Sequence, residues 1–271
     1  MLFHRKYGDS GPLVILLHGG PGASGHMAPV ARVLADSCRV LEPFQRPSGG
    51  EPLSVARHVE DLRELVNFYA PDSPPALLGS SWGAMLALAY AAAYPASVAS
   101  LILVGCGAFD PVARARLQET LARRMTDEVR EQLDRAARLP NEDERLKASA
   151  EAETMLYAYE PLAPPMDDVV DGRAHRETWD DMLYLQARGL YPAAFASIKA
   201  PVLMAHGTFD PHPGRLIRAG LEACLPQLDY RELERCGHWP WLEKFASQEF
   251  FSLIRAWLDR RATGDVRLSA S

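Results

Sequence analysis

The chain has 271 residues, 48% of them hydrophobic, and carries 29 Lys and Arg against 35 Asp and Glu for a net charge of −6. That length holds one large α/β domain with or without an insertion, and the acidic balance gives no footprint for nucleic acid. Charged or polar residues interrupt every apolar run before it reaches bilayer-spanning length, so no membrane partner is expected. The start, Met-Leu-Phe-His-Arg-Lys-Tyr-Gly, lacks a signal-peptide core, which makes the cytoplasm the expected compartment. The four cysteines (Cys38, Cys106, Cys224, Cys236) show no C-x-x-C spacing and read as reduced thiols, mostly buried, although Cys224 and Cys236 are close enough in sequence to meet.

In chain order, Leu2 to Tyr7 reads as a first strand, ended by the turn Gly8-Asp9-Ser10-Gly11-Pro12. Leu13 to Leu17 is continuously aliphatic, as expected of a strand buried on both faces of a parallel sheet. It delivers the loop His18-Gly19-Gly20-Pro21-Gly22. Such a loop suits phosphate or an oxyanion; the Gly-Lys-Ser/Thr of a P-loop and the G-x-G-x-x-G fingerprint are both missing, so the oxyanion reading is favoured. Ala28 to Ala35 reads as a helix, Arg39 to Leu41 as a short strand, and Glu42 to Pro52 as a Pro/Gly-dense loop. Ser54 caps a helix through Tyr69, with Val55, Val59, Leu62, Leu65, Val66 and Tyr69 inward and Arg57, Glu60, Asp61, Arg63 and Glu64 outward.

Pro75 to Tyr90 is the most informative stretch. A short apolar run meets Gly79-Ser80-Ser81-Trp82-Gly83, a G-x-S-x-G pentapeptide, and then a run of helix formers. A serine on a sharp strand-to-helix turn exposes its Oγ beside the electropositive start of a helix. Leu101 to Val104 is the next aliphatic strand. The alternation from Leu13 to Val104 predicts a doubly wound, mostly parallel sheet whose ligands gather at the carboxyl ends of its strands.

After Gly107 the buried strands vanish. Leu117, Leu121, Met125, Val129 and Leu133 recur at i, i+4 and predict one apolar stripe on one helix; Asn141 to Tyr159 gives a second helix and the region of Glu177 to Ala187 a third. This is expected to be an inserted helical cap. Its Met155, Tyr157, Tyr159, Trp179, Met182 and Tyr184 read first as packing between cap and core, with some of them lining a pocket. The strand pattern returns at Ile198: Val202 to Ala205 leads to a loop with Asp210, Pro213 to Leu225 forms a helix, and Leu228 to Leu233 forms an edge strand. Arg235-Cys-Gly-His-Trp-Pro then places His238 on a loop before a closing helix, Gln248 to Leu258. The expected fold class is α/β, a doubly wound mostly parallel sheet with an inserted helical cap. Residues 1–108 and 193–262 form the core, 109–192 the cap and 263–271 a loose tail.

Ser81, Asp210 and His238 follow one another as hydroxyl, acid and imidazole, each on a loop after a strand. A serine hydroxyl needs an imidazole to take its proton, and the imidazole needs a carboxylate to fix its tautomer. Asp110 is a rival acid just past a strand end, but it is more simply a helix cap with Pro111 in the first turn, and Asp210 is favoured. Of the remaining histidines, His18 orders its loop, His26 faces the pocket, His206 packs behind the acid loop, and His58 and His175 lie on the surface. No ligand pair shows zinc-type spacing and no nicotinamide or flavin fingerprint occurs, so neither metal nor cofactor is expected.

This order of residues is the one associated with α/β-hydrolases, and the chain resembles a serine hydrolase of that fold over nearly its whole length outside the cap. Within that fold, His18-Gly19-Gly20-Pro21-Gly22 together with Gly79-Ser80-Ser81-Trp82-Gly83 is similar to the proline iminopeptidase family. His206 to Asp210 and Gly237-His238-Trp-Pro-Trp-Leu-Glu243 match the acid and histidine loops of the wider fold. The resemblance implies Ser81 as nucleophile, His238 as general base and then acid, Asp210 as its orienter, and the backbone N–H groups of Gly20 and Trp82 as oxyanion donors. It implies a small-molecule or short-peptide substrate. Where those peptidases carry D-Q-R-G-x-G-x-S, this chain has Phe44-Gln45-Arg46-Pro47-Ser48-Gly49-Gly50, and its cap lacks an E-N-H-Y-type segment. Glu151, Glu153 and Glu160 are the cap carboxylates available to a substrate amine. A carboxylesterase, a C–C bond hydrolase or lyase on the same residues, and a non-catalytic ligand-binding protein are the alternatives. Oligomeric state is silent.

Overall fold

The computed structural model describes residues 1–164 and 169–262; the expected tail, 263–271, lies outside the described residues. Among the described residues nine strands are numbered in chain order: β1 (His4–Tyr7), β2 (Leu13–Leu17), β3 (Ala23–Ser24), β4 (Arg39–Pro43), β5 (Ala76–Ser80), β6 (Ser100–Val104), β7 (Val169–Val170), β8 (Val202–Gly207) and β9 (Leu228–Leu233). The helices are α1 (Ala28–Leu34), α2 (Val55–Tyr69), α3 (Trp82–Ala93), α4 (Pro111–Arg124), α5 (Asp127–Ala137), α6 (Glu142–Tyr157), α7 (Gly172–Ala187), α8 (Gly214–Glu222) and α9 (Ser247–Ala262).

Seven strands form one sheet in the order β1-β4-β2-β5-β6-β8-β9. Only the β1–β4 pair is antiparallel; the other pairs run parallel. The aliphatic runs are explained by burial on both faces. Leu13, Ile15, Leu17, Leu101 and Leu103 face a layer containing α2, α3 and α8, while Val14, Leu16, Ile102 and Val104 face α1 and α9. Successive strand side chains point to opposite faces, so two apolar layers demand an unbroken apolar sequence. α3 is buried continuously from Trp82 to Ala91, which is why it is apolar all round rather than striped.

Three expectations change. The stripe from Leu117 to Leu133 does not lie on one helix: α4 ends at Met125, with ψ of 119°, and the Thr126 hydroxyl caps α5 by accepting the Val129 N–H at 3.2 Å. Arg123 and Arg124 close α4, while Asp127 and Glu128 open α5. Those charges complement two helix ends, so dipole and cap together favour a corner where apolar spacing alone suggested continuity. Asp61 on α2 is buried rather than outward, because both its oxygens are taken by the Arg46 guanidinium. Finally, α7 begins at Gly172, capped by Asp171, and is cemented to the core. Its Met182 is fully buried, Glu177 accepts the Leu53 N–H, and Asp181 accepts the Val55 N–H at the start of α2. The insertion proper is therefore α4–α6. The unforeseen β3–β7 ribbon ties the loop after β2 to the strand before α7.

Candidate active site

Five strand ends build the site. Ser80 closes β5 and Trp82 opens α3, so Ser81 turns the chain with φ 52° and ψ −117°. A non-glycine residue held there stores about 1–3 kcal/mol and persists only where its neighbours over-determine it. They do: the Ser81 N–H donates to the Val104 carbonyl at 2.8 Å, and the flanking glycines are in close contact with backbone. A Cβ on Gly79 would lie 2.2 Å from the Gly83 carbonyl oxygen, and one on Gly83 would lie 2.0 Å from that of Leu17.

The loop after β2 stands against this turn. A Cβ on Gly19 would lie 2.9 Å from Ser81 Cβ. The Gly19 N–H is used internally, donating to His26 Nε2 at 3.2 Å, which leaves Gly20, at φ 55°, as the next N–H along the loop. The Trp82 N–H belongs to the first turn of α3 and has no helical carbonyl to bond. Gln45 ties the loop and turn together. Its N–H donates to His18 Nε2 at 3.1 Å, its side-chain amide donates to the His18 carbonyl at 3.1 Å, and its Oε1 accepts the Trp82 indole N–H at 2.7 Å. His18 therefore carries its proton on Nδ1, 3.0 Å from the Gly19 carbonyl, and is neutral.

Opposite them, β8 delivers Asp210 and the loop after β9 delivers His238. His238 Nδ1 lies 2.7 Å from Asp210 Oδ2. The His238 ring rests on Gly105, the residue after the Val104 carbonyl that holds Ser81: a Cβ on Gly105 would lie 2.9 Å from ring atoms Cε1 and Nδ1. The end of β6 thus braces both Ser81 and His238. Burial alone would raise the Asp210 carboxyl, but the imidazoles of His238, His206 and His212 hold it well below the ordinary carboxylate range. The histidine loop is pinned by the buried Glu243, whose Oε1 accepts the N–H groups of Gly237 (2.8 Å) and Tyr159 (2.7 Å), and whose Oε2 accepts that of Glu160 (2.8 Å). The His238 N–H donates to the Tyr157 carbonyl at the end of α6, so the insertion is joined directly to this loop.

A sequence model described as Alpha/beta hydrolase family matches residues 14–252. The chain belongs to the alpha/beta hydrolase family. It is also distantly homologous, over its full length, to proline iminopeptidases: it is 25% identical to a proline iminopeptidase of Clostridium botulinum, across 93% of this chain and 91% of the relative. The proline iminopeptidase of Mycobacterium smegmatis shares the fold at a TM-score of 0.64 and 19% identity, over 96% of this chain and 95% of that one. A thermophilic esterase from Thermogutta terrifontis does so at 0.64 and 20%, over 96% of this chain and 94% of that one.

Set on this alpha/beta hydrolase frame, Ser81, Asp210 and His238 converge at one sheet edge, while Asp110 does not join them. Asp110 caps α4, accepting the Ala113 N–H at 2.8 Å, as its rival reading required. His206 is buried behind the acid loop with Nε2 3.4 Å from Asp210, as expected. His58 and His175 are not surface residues. His58 is buried against the Thr178 hydroxyl at 2.9 Å, and burial lowers its pKa to about 4. His175 lies 3.0 Å from the Pro21 carbonyl, with its pKa lowered by burial. His26 is spent on Gly19 and on the Trp241 ring, stacked at 6.3 Å. Each is a polar residue on a helix or loop whose partner arrives from a distant element, so local spacing gave no sign of it.

His212 was missed. It stacks on His238 with ring centroids 4.9 Å apart and shares Asp210 with it. Asp210, His212 and His238 thereby bring three metal-ligating atoms within 4.8 Å of one another, a grouping that spacing along the chain did not suggest. Of the cap residues expected to pack or line a pocket, Tyr157 packs its ring 5.6 Å from His238, whereas Met155, Tyr159 and Tyr184 are exposed. A surface cavity of about 380 Å³ opens beside Gln45, lined by Phe3, Ser24, Phe44, Pro47 and Val169 among others; Ser81, Asp210 and His238 do not line it. No described helix is long and apolar enough to cross a membrane.

Proposed function

We propose that the chain is a serine hydrolase that cleaves an ester or amide of a small substrate through an acyl-enzyme on Ser81. The observation that carries this reading is the sharing of one strand end: β6 holds Ser81 through the Val104 carbonyl and seats the His238 ring on Gly105, while Asp210 fixes that ring from behind at 2.7 Å. With Nδ1–H committed to a carboxylate, His238 presents Nε2 as the free base. It takes the Ser81 proton as Oγ attacks the carbonyl, then returns it to the leaving group. The N–H groups of Gly20 and Trp82 donate to the developing oxyanion, at about 3–4 kcal/mol per donor. Water repeats the cycle on the acyl-enzyme. The Ser81 hydroxyl, the His238 imidazole and water supply every proton transfer, so no cofactor is invoked.

Within that chemistry we favour an aminopeptidase acting on a small N-terminal residue such as proline. Full-length homology to proline iminopeptidases supports it. So does Glu153, a half-buried carboxylate on α6 whose pKa is raised by burial and whose charge is felt by Tyr157, one turn on. A carboxylate partly stripped of water gains most from a cationic partner, and a substrate ammonium is one. Glu160 is instead paired with Lys244 and Glu151 is exposed. Carboxylesterase activity without peptidase activity is the second reading, favoured by the departure at Pro47.

A fluorophosphonate should label Ser81, and Ser81→Ala should abolish labelling and lower kcat about 10⁴- to 10⁶-fold. Absence of labelling, with no turnover of any ester, amide or lactone, would sink the reading. Proline p-nitroanilide against p-nitrophenyl acetate separates the two branches, and Glu153→Gln should raise KM for the first while sparing the second.

A further inference from the structure

Asp210 faces more imidazole than its proposed task requires. His238 Nδ1 takes Oδ2 at 2.7 Å. His212 approaches the other oxygen twice, with its backbone N–H 2.9 Å and its Nδ1 3.0 Å from Oδ1. His206 Nε2 lies 3.4 Å from Oδ2 but also 2.9 Å from the His212 carbonyl, which can only accept, so that nitrogen carries a proton. An ionised carboxylate only accepts, and the tautomers follow: His212 and His238 are both protonated on Nδ1. The His212 ring also lies nearly flat on His238, 4.9 Å away at 21°, and so covers one face of it.

We propose that His212 is a positioning residue for the Asp210–His238 pair, donating Nδ1–H to the carboxylate oxygen that His238 leaves open. The inference rests on the serine-hydrolase reading for its meaning but not for its test. The carboxylate torsion of an aspartate is soft, and bonds on both oxygens hold its plane so that Oδ2 stays on His238. The same donor also spreads the negative charge over two imidazoles. Asp210 then stabilises a His238 cation less than a singly bonded carboxylate would. The other titratable or charged groups around the pair are His206 from β8, Tyr157 and Glu153 from α6, Arg124 from α4, and the thiols of Cys106 and Cys236.

The test is an NMR titration of imidazole-labelled protein, which needs neither substrate nor turnover. In the unsubstituted protein, ¹⁵N shifts should show His212 as the Nδ1–H tautomer; an Nε2–H tautomer there overturns the proposal without any variant. His212→Phe keeps a stacked ring and removes the donor, and should raise the His238 pKa by about 0.5–1 unit, a three- to tenfold change in its proton affinity. His212→Asn restores an N–H near the Nδ1 position and should return the pKa to within about 0.2 unit of the starting value. Equal His238 pKa values in all three proteins, with only thermal stability altered, make His212 structural and overturn the proposal; so does an Asn variant that behaves like Phe. The pH profile of fluorophosphonate labelling should move with the NMR value. If the unsubstituted protein titrates as described but Ser81 takes no label, the hydrolase reading fails and the His212 assignment stands.

Discussion

On the acid–histidine side of the site the fixing groups carry charge: Asp210 between three imidazoles, and Glu243 accepting three backbone N–H groups. On the oxyanion side every fixing group is neutral: the Gln45 amide, the Trp82 indole, and His18 and His26, each with a ring nitrogen accepting a backbone N–H. Under the proposed reaction the difference is physical. An imidazolium forms on one side and is steadied by a fixed negative charge. An oxyanion forms on the other, where a carboxylate would oppose it and a neutral network of aligned dipoles does not. The two halves should therefore respond differently to the loss of charge and to acid.

The largest expected effect is on the charged side. Asp210→Asn keeps the shape and removes the charge, and should lower kcat about 10³- to 10⁴-fold, while Asp110→Asn should stay within about threefold. If Asp110→Asn proved the more damaging in a kcat assay, the acid has been misassigned. Next comes Glu243→Gln. An amide cannot accept from three N–H groups as a carboxylate does, and its own NH₂ opposes one of them. A loss of about 2–4 kcal/mol is expected in urea unfolding, far more than surface substitutions produce. A change below about 0.5 kcal/mol would mean that the histidine loop does not depend on that charge.

How much of this was legible follows the same division. The strands, the turn at Ser81 and the loops carrying Asp210 and His238 announce themselves, because double-sided burial and a sharp turn leave local signatures. The neutral network does not. Gln45, His26 and His58 each find a partner across the fold, at His18, Trp241 and Thr178, and a lone polar residue beside apolar ones looks the same whether it faces water or an unseen partner. His212 escaped for another reason: two residues from Asp210, it read as loop until the fold laid it on His238. In the insertion, apolar spacing was read through a corner that the Thr126 cap creates. Caps decide such cases more reliably than stripes, since a helix must satisfy its end groups wherever its apolar face points.

A smaller effect is expected on the neutral side from Gln45→Leu. Leucine fills the space but strands the Trp82 N–H and the His18 carbonyl, loosening the loop that offers Gly20. We expect kcat on p-nitrophenyl acetate to fall about 10- to 100-fold with KM little changed, since a misplaced donor is felt in the transition state first. Gln45→Glu sharpens the comparison. It keeps an acceptor for Trp82 but sets a carboxylate beside the His18 carbonyl, and should be more damaging than leucine at neutral pH. If glutamate were tolerated as well as glutamine, neutrality on this side would not matter.

The smallest expected effect concerns acid. His58, edge-on to the Trp82 ring at 6.0 Å, supports the neutral half from behind. Burial lowers its folded pKa to about 4, Arg46 adding to that and Asp61 opposing it, from an ordinary value of 6.5. Between those values the unfolded chain binds the proton and the folded one does not. The contribution of His58 is therefore complete above pH 6.5 and is lost as pH falls toward 4. At pH 5.5 the loss is about 1 kcal/mol. Asp210 has the same sign in a lower window: its depressed folded pKa gives stability that is present above the ordinary carboxylate value of 3.8 and lost only further down. Acidification should thus weaken the neutral half first and the charged half later. His58→Gln keeps a polar atom for Thr178 and cannot titrate, so its stability difference between pH 7 and 5.5 should be smaller than that of the parent by about 1 kcal/mol. Parallel stability curves for the two proteins across that window would show that His58 is not buried neutral, and the separation of the two halves by pH would go with it.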